Sequence, residues 1–161
     1  MHDMQALSCN AKINRIEERE GKTVLILNQT VFYPQGGGQP ADVGLITSEN
    51  GTFKVEHVQY IDGNVEHVGV FINGNMKTND AVICQVSEVE RDLHTRLHSA
   101  GHLIDLALQK LEVDWVPGKG FHFPTGSYVE YSGVMQAEEK EEMISKLELM
   151  CNKLIQENYQ T

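Results

Sequence analysis

The chain has 161 residues, 40% of them hydrophobic, and a formal net charge of −10. That is enough apolar material for the core of one domain or two small ones. The acidity argues against holding a phosphate backbone by charge alone.

No apolar run approaches the ~20 residues that span a bilayer. The start, Met1-His2-Asp3-Met4-Gln5, has neither the basic residues nor the apolar stretch of a signal peptide. Cys9, Cys84 and Cys151 are widely spaced and lie outside any Cys-x-x-Cys pair. They predict free thiols in a reducing compartment, hence a cytoplasmic protein with no membrane partner.

The first half reads as β. Ala11 to Ile16 and Thr23 to Leu27 flank Glu20-Gly21, and segments 43–48, 52–61, 64–72 and 80–88 are rich in Val, Ile, Thr and aromatics. Asn50-Gly51, Asp62-Gly63 and Asn73-Gly74 bound them as turn signals, which predicts a small barrel or curled meander. Between the second and third strands stands Phe32-Tyr33-Pro34-Gln35-Gly36-Gly37-Gly38-Gln39-Pro40-Ala41-Asp42-Val43-Gly44. Three consecutive glycines cost chain entropy and usually mark a close backbone approach, though a flexible loop would read alike. No Gly-Lys-Ser/Thr follows and no long helix begins there, so neither a P-loop nor a dinucleotide fingerprint fits, and no ATP-binding fold is expected.

Near Val89 the period changes. Leu93, Leu97, Ala100, Ile104, Ala107, Leu108 and Leu111 recur at three- and four-residue intervals, one face of a helix about six turns long. A loop or strand region follows over 112–134, with Tyr128-Val129-Glu130-Tyr131 as a short strand. A second helix over about 136–157 has Met143, Ile144, Leu147, Cys151, Leu154 and Ile155 as its stripe. Glu138, Glu139, Glu141 and Glu142 suit the positive end of that helix. The division of the chain is thus expected as 1–88, β, and 89–161, α+β.

His94, His98 and His102 are spaced by four, and neighbouring imidazoles at that spacing lie on one side of a helix. Each step of four rotates by ~40° and climbs ~6 Å, so two of the three converge more readily than all. Ser99-Ala100-Gly101, between His98 and His102, leaves room for another backbone. His98 and His102 are therefore the candidate catalytic and metal-binding pair, although two histidines at a helix surface or core edge give the same spacing. Ser99 stands where a zinc peptidase helix carries its general-base Glu, which disfavours peptide hydrolysis of that type. Gly118-Lys119-Gly120-Phe121-His122-Phe123-Pro124 is a weaker signal, as consistent with a surface turn as with a substrate-facing loop.

Taken together, Asn28 to Gly44, then Arg91-Asp92-Leu93-His94-Thr95-Arg96-Leu97-His98-Ser99-Ala100-Gly101-His102-Leu103, then Lys119 to Pro124 with Tyr128 to Tyr131, resemble one family. It is the AlaX-type alanyl-tRNA editing family, freestanding relatives of the editing domain of alanyl-tRNA synthetase. The glycine-rich loop resembles the medium or long forms. The resemblance implies an α+β chain, a β-barrel-like module followed by an editing domain like the second domain of threonyl- and alanyl-tRNA synthetases. It implies trans-editing, the deacylation of tRNA(Ala) mischarged with serine or glycine, with one Zn²⁺. Residue by residue, it implies His98 and His102 as zinc ligands and Thr30 as the reader of serine. Gly36, Gly37, Gly38, Gln39 and Asp42 are implied as substrate-binding.

One departure stands out. The family's remaining ligands come from a Cys-x-x-x-His motif beyond the second helix, whereas Ile155, Glu88 and Ile13 follow four after Cys151, Cys84 and Cys9. Two histidines fall short of the three protein ligands usual for catalytic zinc. The chain is therefore expected to be C-terminally incomplete, or a variant with weak or no zinc. Two other readings stay open: a catalytically inactive tRNA- or synthetase-binding relative, and an unrelated small-molecule metallohydrolase.

Overall fold

A computed structural model describes residues 6–158 of the chain. The strands follow the turn residues. Strand β1 (Ser8–Arg19) reverses through Glu20 and Gly21, both at positive φ, into β2 (Lys22–Leu27). Such a two-residue turn matches the right-handed twist of the strands it joins. Asp62-Gly63 repeats the device between β4 (Gly51–Ile61) and β5 (Asn64–Gly74). Asn73-Gly74, by contrast, makes no hairpin of its own, because Gly74 ends β5 paired opposite Gly51.

With β3 (Gly44–Ser48) and β6 (Ala81–Val86), these strands close into an antiparallel barrel of order β1-β2-β5-β4-β3-β6. Closure leaves no free edge. Register shifts between Ile13 and Arg15 and between Val55 and His57 bend β1 and β4, as bulges do. The inward faces of the strands, with Phe32, Ala41 and Met76 from the connections, form the core. Ile13, Leu25, Ile46, Phe53, Val55, Val58 and Cys84 are completely buried there.

Helix α1 (Glu88–Lys110) opens on Ser87, whose hydroxyl donates to the Glu90 carboxylate, and carries acids in its first turn and Lys110 in its last. It ends where Glu112 takes the left-handed conformation and Val113 N–H donates to the Leu108 carbonyl, a Schellman-type stop. The hairpin β7 (Val116–Phe121) and β8 (Tyr128–Ser132) follows. A 3₁₀ turn at Ala137–Glu139 then leads into α2 (Lys140–Gln156). The molecule is thus mixed α+β, a six-stranded antiparallel barrel with helices.

The chain separates into two compact units, Met1–Leu93 and His94–Thr161. The apolar stripes of both helices need correcting. Leu93 and Ala100 of α1 are exposed, while Arg91, His94 and Gly101 are buried instead. In α2, Ile144 and Ile155 are exposed, and only Leu154 of the expected stripe is fully buried. A helical period identifies a face, but the neighbours decide how wide that face is and where it is centred. Among the described residues no helix is long and apolar enough to cross a membrane.

Candidate functional site

Within the barrel unit, the glycine-rich loop is a built turn and not a slack one. Gly36 and Gln39 exchange both backbone hydrogen bonds, and Gly37 and Gly38 between them take positive φ. Those two positions need glycine for their conformation. Gly36 has ordinary space around it, and nothing in the structure requires glycine there. Gln35 N–H donates to the Val58 carbonyl, which ties the loop to β4, and Gln39 is buried at the end of the turn.

Asp42 anchors the loop from inside. Its Oδ1 accepts from Arg91 Nε at 2.9 Å, and its Oδ2 accepts from Arg91 Nη2 and from the Tyr33 backbone N–H. Arg91 also donates to the Val31 carbonyl. Asp42 is fully buried, so its carboxylate supports the loop and has no face open to a ligand. A charge buried this deeply needs such a partner, because desolvation is otherwise prohibitive. Sequence reasoning passed over Arg91; the signal was Asp42 itself, an acid inside an apolar loop that required a cation.

Thr30 is half-buried, and its Oγ lies 2.8 Å from Nε2 of His67. His67 Nδ1 lies 2.9 Å from the Leu25 carbonyl oxygen. A carbonyl only accepts, so Nδ1 carries the proton and Nε2 is an acceptor. The Thr30 hydroxyl therefore donates inward to His67, and its oxygen accepts the Phe32 N–H at 3.1 Å. Phe32 meets the His67 ring edge-on. Burial lowers the His67 pKa to about 4, so the ring is neutral at pH 7. His67 escaped sequence reasoning, although Glu66-His67 interrupting an apolar strand was a signal. Neighbouring Glu66 is also buried, held by two nitrogens of Arg19 and by Gln59.

In the helical unit, His98 and His102 do lie side by side. Their rings stack with centroids 4.8 Å apart and planes 29° apart. His122, from the weak glycine-rich segment, stacks on the other neighbour, His98, also at 4.8 Å. The small residues of α1 make room for that side chain and not for a backbone. A Cβ at Gly101 would overlap Cε1 of His122, and one at Gly120 would come within 2.6 Å of its Nε2.

His102 Nδ1 stands 3.5 Å from Asp105 Oδ2, and Asp105 Oδ1 accepts the Tyr131 hydroxyl hydrogen. Burial, then the nearby His122 and His102, hold the His98 pKa below its usual value. Burial and His102 do the same for His122, with Asp105 opposing. Burial and Asp105 raise that of Tyr131. The set offers imidazole nitrogens, one ring oriented by a carboxylate, which suits proton transfer or metal ligation. Stacked rings, however, do not aim their nitrogens at one point. Among the described residues no group of three His, Cys, Asp or Glu side chains is placed to hold a metal ion. The described donors thus do not make a complete zinc site.

A small antiparallel barrel in a mixed α+β chain agrees with the barrel module that the resemblance implied. The sequence profile of the family described as "tRNA synthetases class II (A)" matches residues 3–90. The chain belongs to that family, and within it to the alanyl-tRNA synthetase-related editing domains. Alanine–tRNA ligase of Nitrosomonas europaea is 31% identical over 162 residues, covering 99% of this chain and 19% of that protein. That of Fervidobacterium nodosum is 40% identical over 100 residues, 60% of this chain and 11% of the relative. That of Methanosphaera stadtmanae is 32% identical over 143 residues, 84% and 15% respectively. The chain therefore spans less than a fifth of the length of these relatives.

Proposed function

We propose that the chain is a trans-editing hydrolase that cleaves the aminoacyl ester of tRNA(Ala) mischarged with serine, glycine or both, in the cytoplasm. The observation that carries the reading is the extent of the likeness. The Nitrosomonas europaea alanine–tRNA ligase aligns with 99% of this chain, a span that includes both the glycine-rich loop and the histidine cluster.

An aminoacyl ester is already labile, so its hydrolysis mainly needs a positioned water and stabilisation of developing negative charge. In the helical unit, His102 turns Nδ1 to Asp105 and keeps Nε2 for the proton of the attacking water. His98, kept neutral by burial, is the second nitrogen that positions that water. Were Zn²⁺ bound, His98 and His102 would be its ligands, with at least one donor from outside the described residues, and the ion would supply the water-activating chemistry in place of their free nitrogens. In the barrel, Thr30 reads the serine hydroxyl. The turn Gly36-Gly37-Gly38 and Gln39 line the substrate, on a loop that Asp42 braces. Correct Ala-tRNA is spared because a site built to bond a hydroxyl leaves polar groups unpaired against a methyl.

The test is to incubate the whole chain, with and without Zn²⁺, with Ser-, Gly- and Ala-tRNA(Ala). Release of serine or glycine, sparing of alanine, and loss of release in His98→Ala are expected. Neither binding nor release by metal-replete protein would sink the proposal. A second reading, an inactive tRNA- or synthetase-binding relative, is favoured by the missing third donor among the described residues. Binding without release selects it. An unrelated small-molecule metallohydrolase loses its ground with membership of the family.

A further inference from the structure

We propose that Cys9 and Cys84 are a paired thiol site on the barrel, which a small-molecule disulfide oxidises to a reversible bridge between β1 and β6. The pairing starts from strand register. Cys9 of β1 stands directly opposite Cys84 of β6 in an antiparallel ladder, so both side chains leave the same face of the sheet. In the same ladder the Val86 N–H donates to the Leu7 carbonyl, and the Ile13 N–H donates to the Asp80 carbonyl. Hydrogen bonding alternates along such a ladder, which makes Cys9 and Cys84 one of its hydrogen-bonded pairs. Their Cα atoms are then about 5.5 Å apart, inside the range that a disulfide spans.

That shared face is the barrel core. Cys84 is completely buried there, and Cys9 packs on the same core while only half-buried. Both thiols are free, and they interact directly with one another. Core cysteines need only to pack. This pair differs in that one member is accessible, its partner is in contact with it, and the ladder already holds both at bridging distance.

The place of the pair gives the bridge its effect. Strands β1 and β6 are the first and last of the barrel, and their ladder is the seam that closes it. A bond across the seam ties nearly the whole barrel sequence into one loop, and long loops lose the most entropy on cross-linking.

Burial, then the charge of Cys9 and the hydrogen bond with it, push the Cys84 thiol up. Cys84 therefore stays protonated, and Cys9 makes the first attack. Its thiolate attacks one sulfur of the small disulfide RSSR, forms Cys9–S–S–R and expels RS⁻. Cys9 then carries no charge; Cys84 gives up its proton, attacks the Cys9 sulfur and expels the second RS⁻. The two protein thiols lose two electrons and two protons, and RSSR takes them up as two RSH.

The test is disulfide mapping of the whole chain, treated while folded with glutathione disulfide at mildly alkaline pH and then alkylated in denaturant. A peptide joining Cys9 to Cys84, lost on treatment with dithiothreitol, is expected. Cys84→Ser should stop at a mixed disulfide of glutathione on Cys9, and Cys151→Ser should form the bridge as the wild type does. The bridged protein should melt on the order of 10 °C higher than the reduced one. Recovery of Cys9 and Cys84 as free thiols, or of glutathione left on Cys9 in the wild type, overturns the inference. So does a bridge from either to Cys151, or a melting point that oxidation leaves unchanged or lowers. None of these readouts involves activity, so the deacylase reading stands or falls separately.

Discussion

The two units of this chain are built at opposite levels of completeness. The barrel closes on itself, and side chains such as Ile13, Leu25, Phe53 and Val58 have no exposed surface. The helical unit has a two-stranded sheet, and its only buried apolar side chains among the described residues are Ala107, Leu108 and Leu154. Leu149, at 74% exposure, contrasts with Leu25, at 0%, although both are leucines in regular elements. The difference teaches where rigidity resides. In the barrel Asp42, Arg91 and His67 are fixed by buried hydrogen bonds, whereas in the helical unit His98 and His102 are partly exposed and stack with the buried His122.

The largest effect should come from the buried pair that braces the glycine-rich loop. Asp42→Ala leaves Arg91 inside without its carboxylate and should cost about 3–5 kcal/mol, read as a shift in the denaturant midpoint. A loss below 1 kcal/mol would break the view of the barrel as the rigid unit.

Acid should act on the same unit through His67. Burial holds its folded pKa near 4, below the ordinary 6.5, so the unfolded chain takes up the proton first. Stability from this group is whole above pH 6.5 and declines as the pH falls from 6.5 toward 4. At ~1.4 kcal/mol for each pH unit, the loss is about 3 kcal/mol. Unfolding curves across that range should show the slope in the wild type and not in His67→Gln.

A smaller effect is expected in the helical unit. Gly101→Ala would ordinarily gain up to ~1 kcal/mol in a helix. Here the added Cβ overlaps His122, so a loss of about 1–3 kcal/mol is expected instead, with a changed His122 ring signal by NMR. A gain in stability would show that the histidine stack is soft. The smallest effect belongs to Leu149→Ser on α2, within about 0.5 kcal/mol by thermal denaturation. A large loss there would mean that this face is covered in solution, and the contrast between the units would narrow.

Much of the local structure was legible in the residues. Glu20-Gly21 and Asp62-Gly63 marked hairpins because two consecutive positive φ values suit glycine-containing pairs. The barrel strands followed from their Val, Ile, Thr and aromatic content between turn signals and both helices from the three- and four-residue recurrence, whereas β7 lay in a stretch that read as loop or strand. His98 and His102 were placed beside one another by helical spacing alone. These features depend on neighbours a few residues apart, which a sequence displays directly.

What the sequence alone determined is therefore the barrel strands, both helices, the hairpin turns and the His98–His102 pair. The tertiary structure decided the rest. Strands β2 and β5 pair across the intervening hairpin, and that closure brings His67 to Thr30, 37 residues away, and sets the tautomer of its ring. It decided that Asp42 faces Arg91, 49 residues on, and not a ligand. It also brought His122 onto His98, in the space left by Gly101 of the helix and Gly120 of the following strand. The physical reason is common to all three. Burying a polar group demands a partner, but the identity of that partner is set by strand register and packing, which local periodicity does not encode.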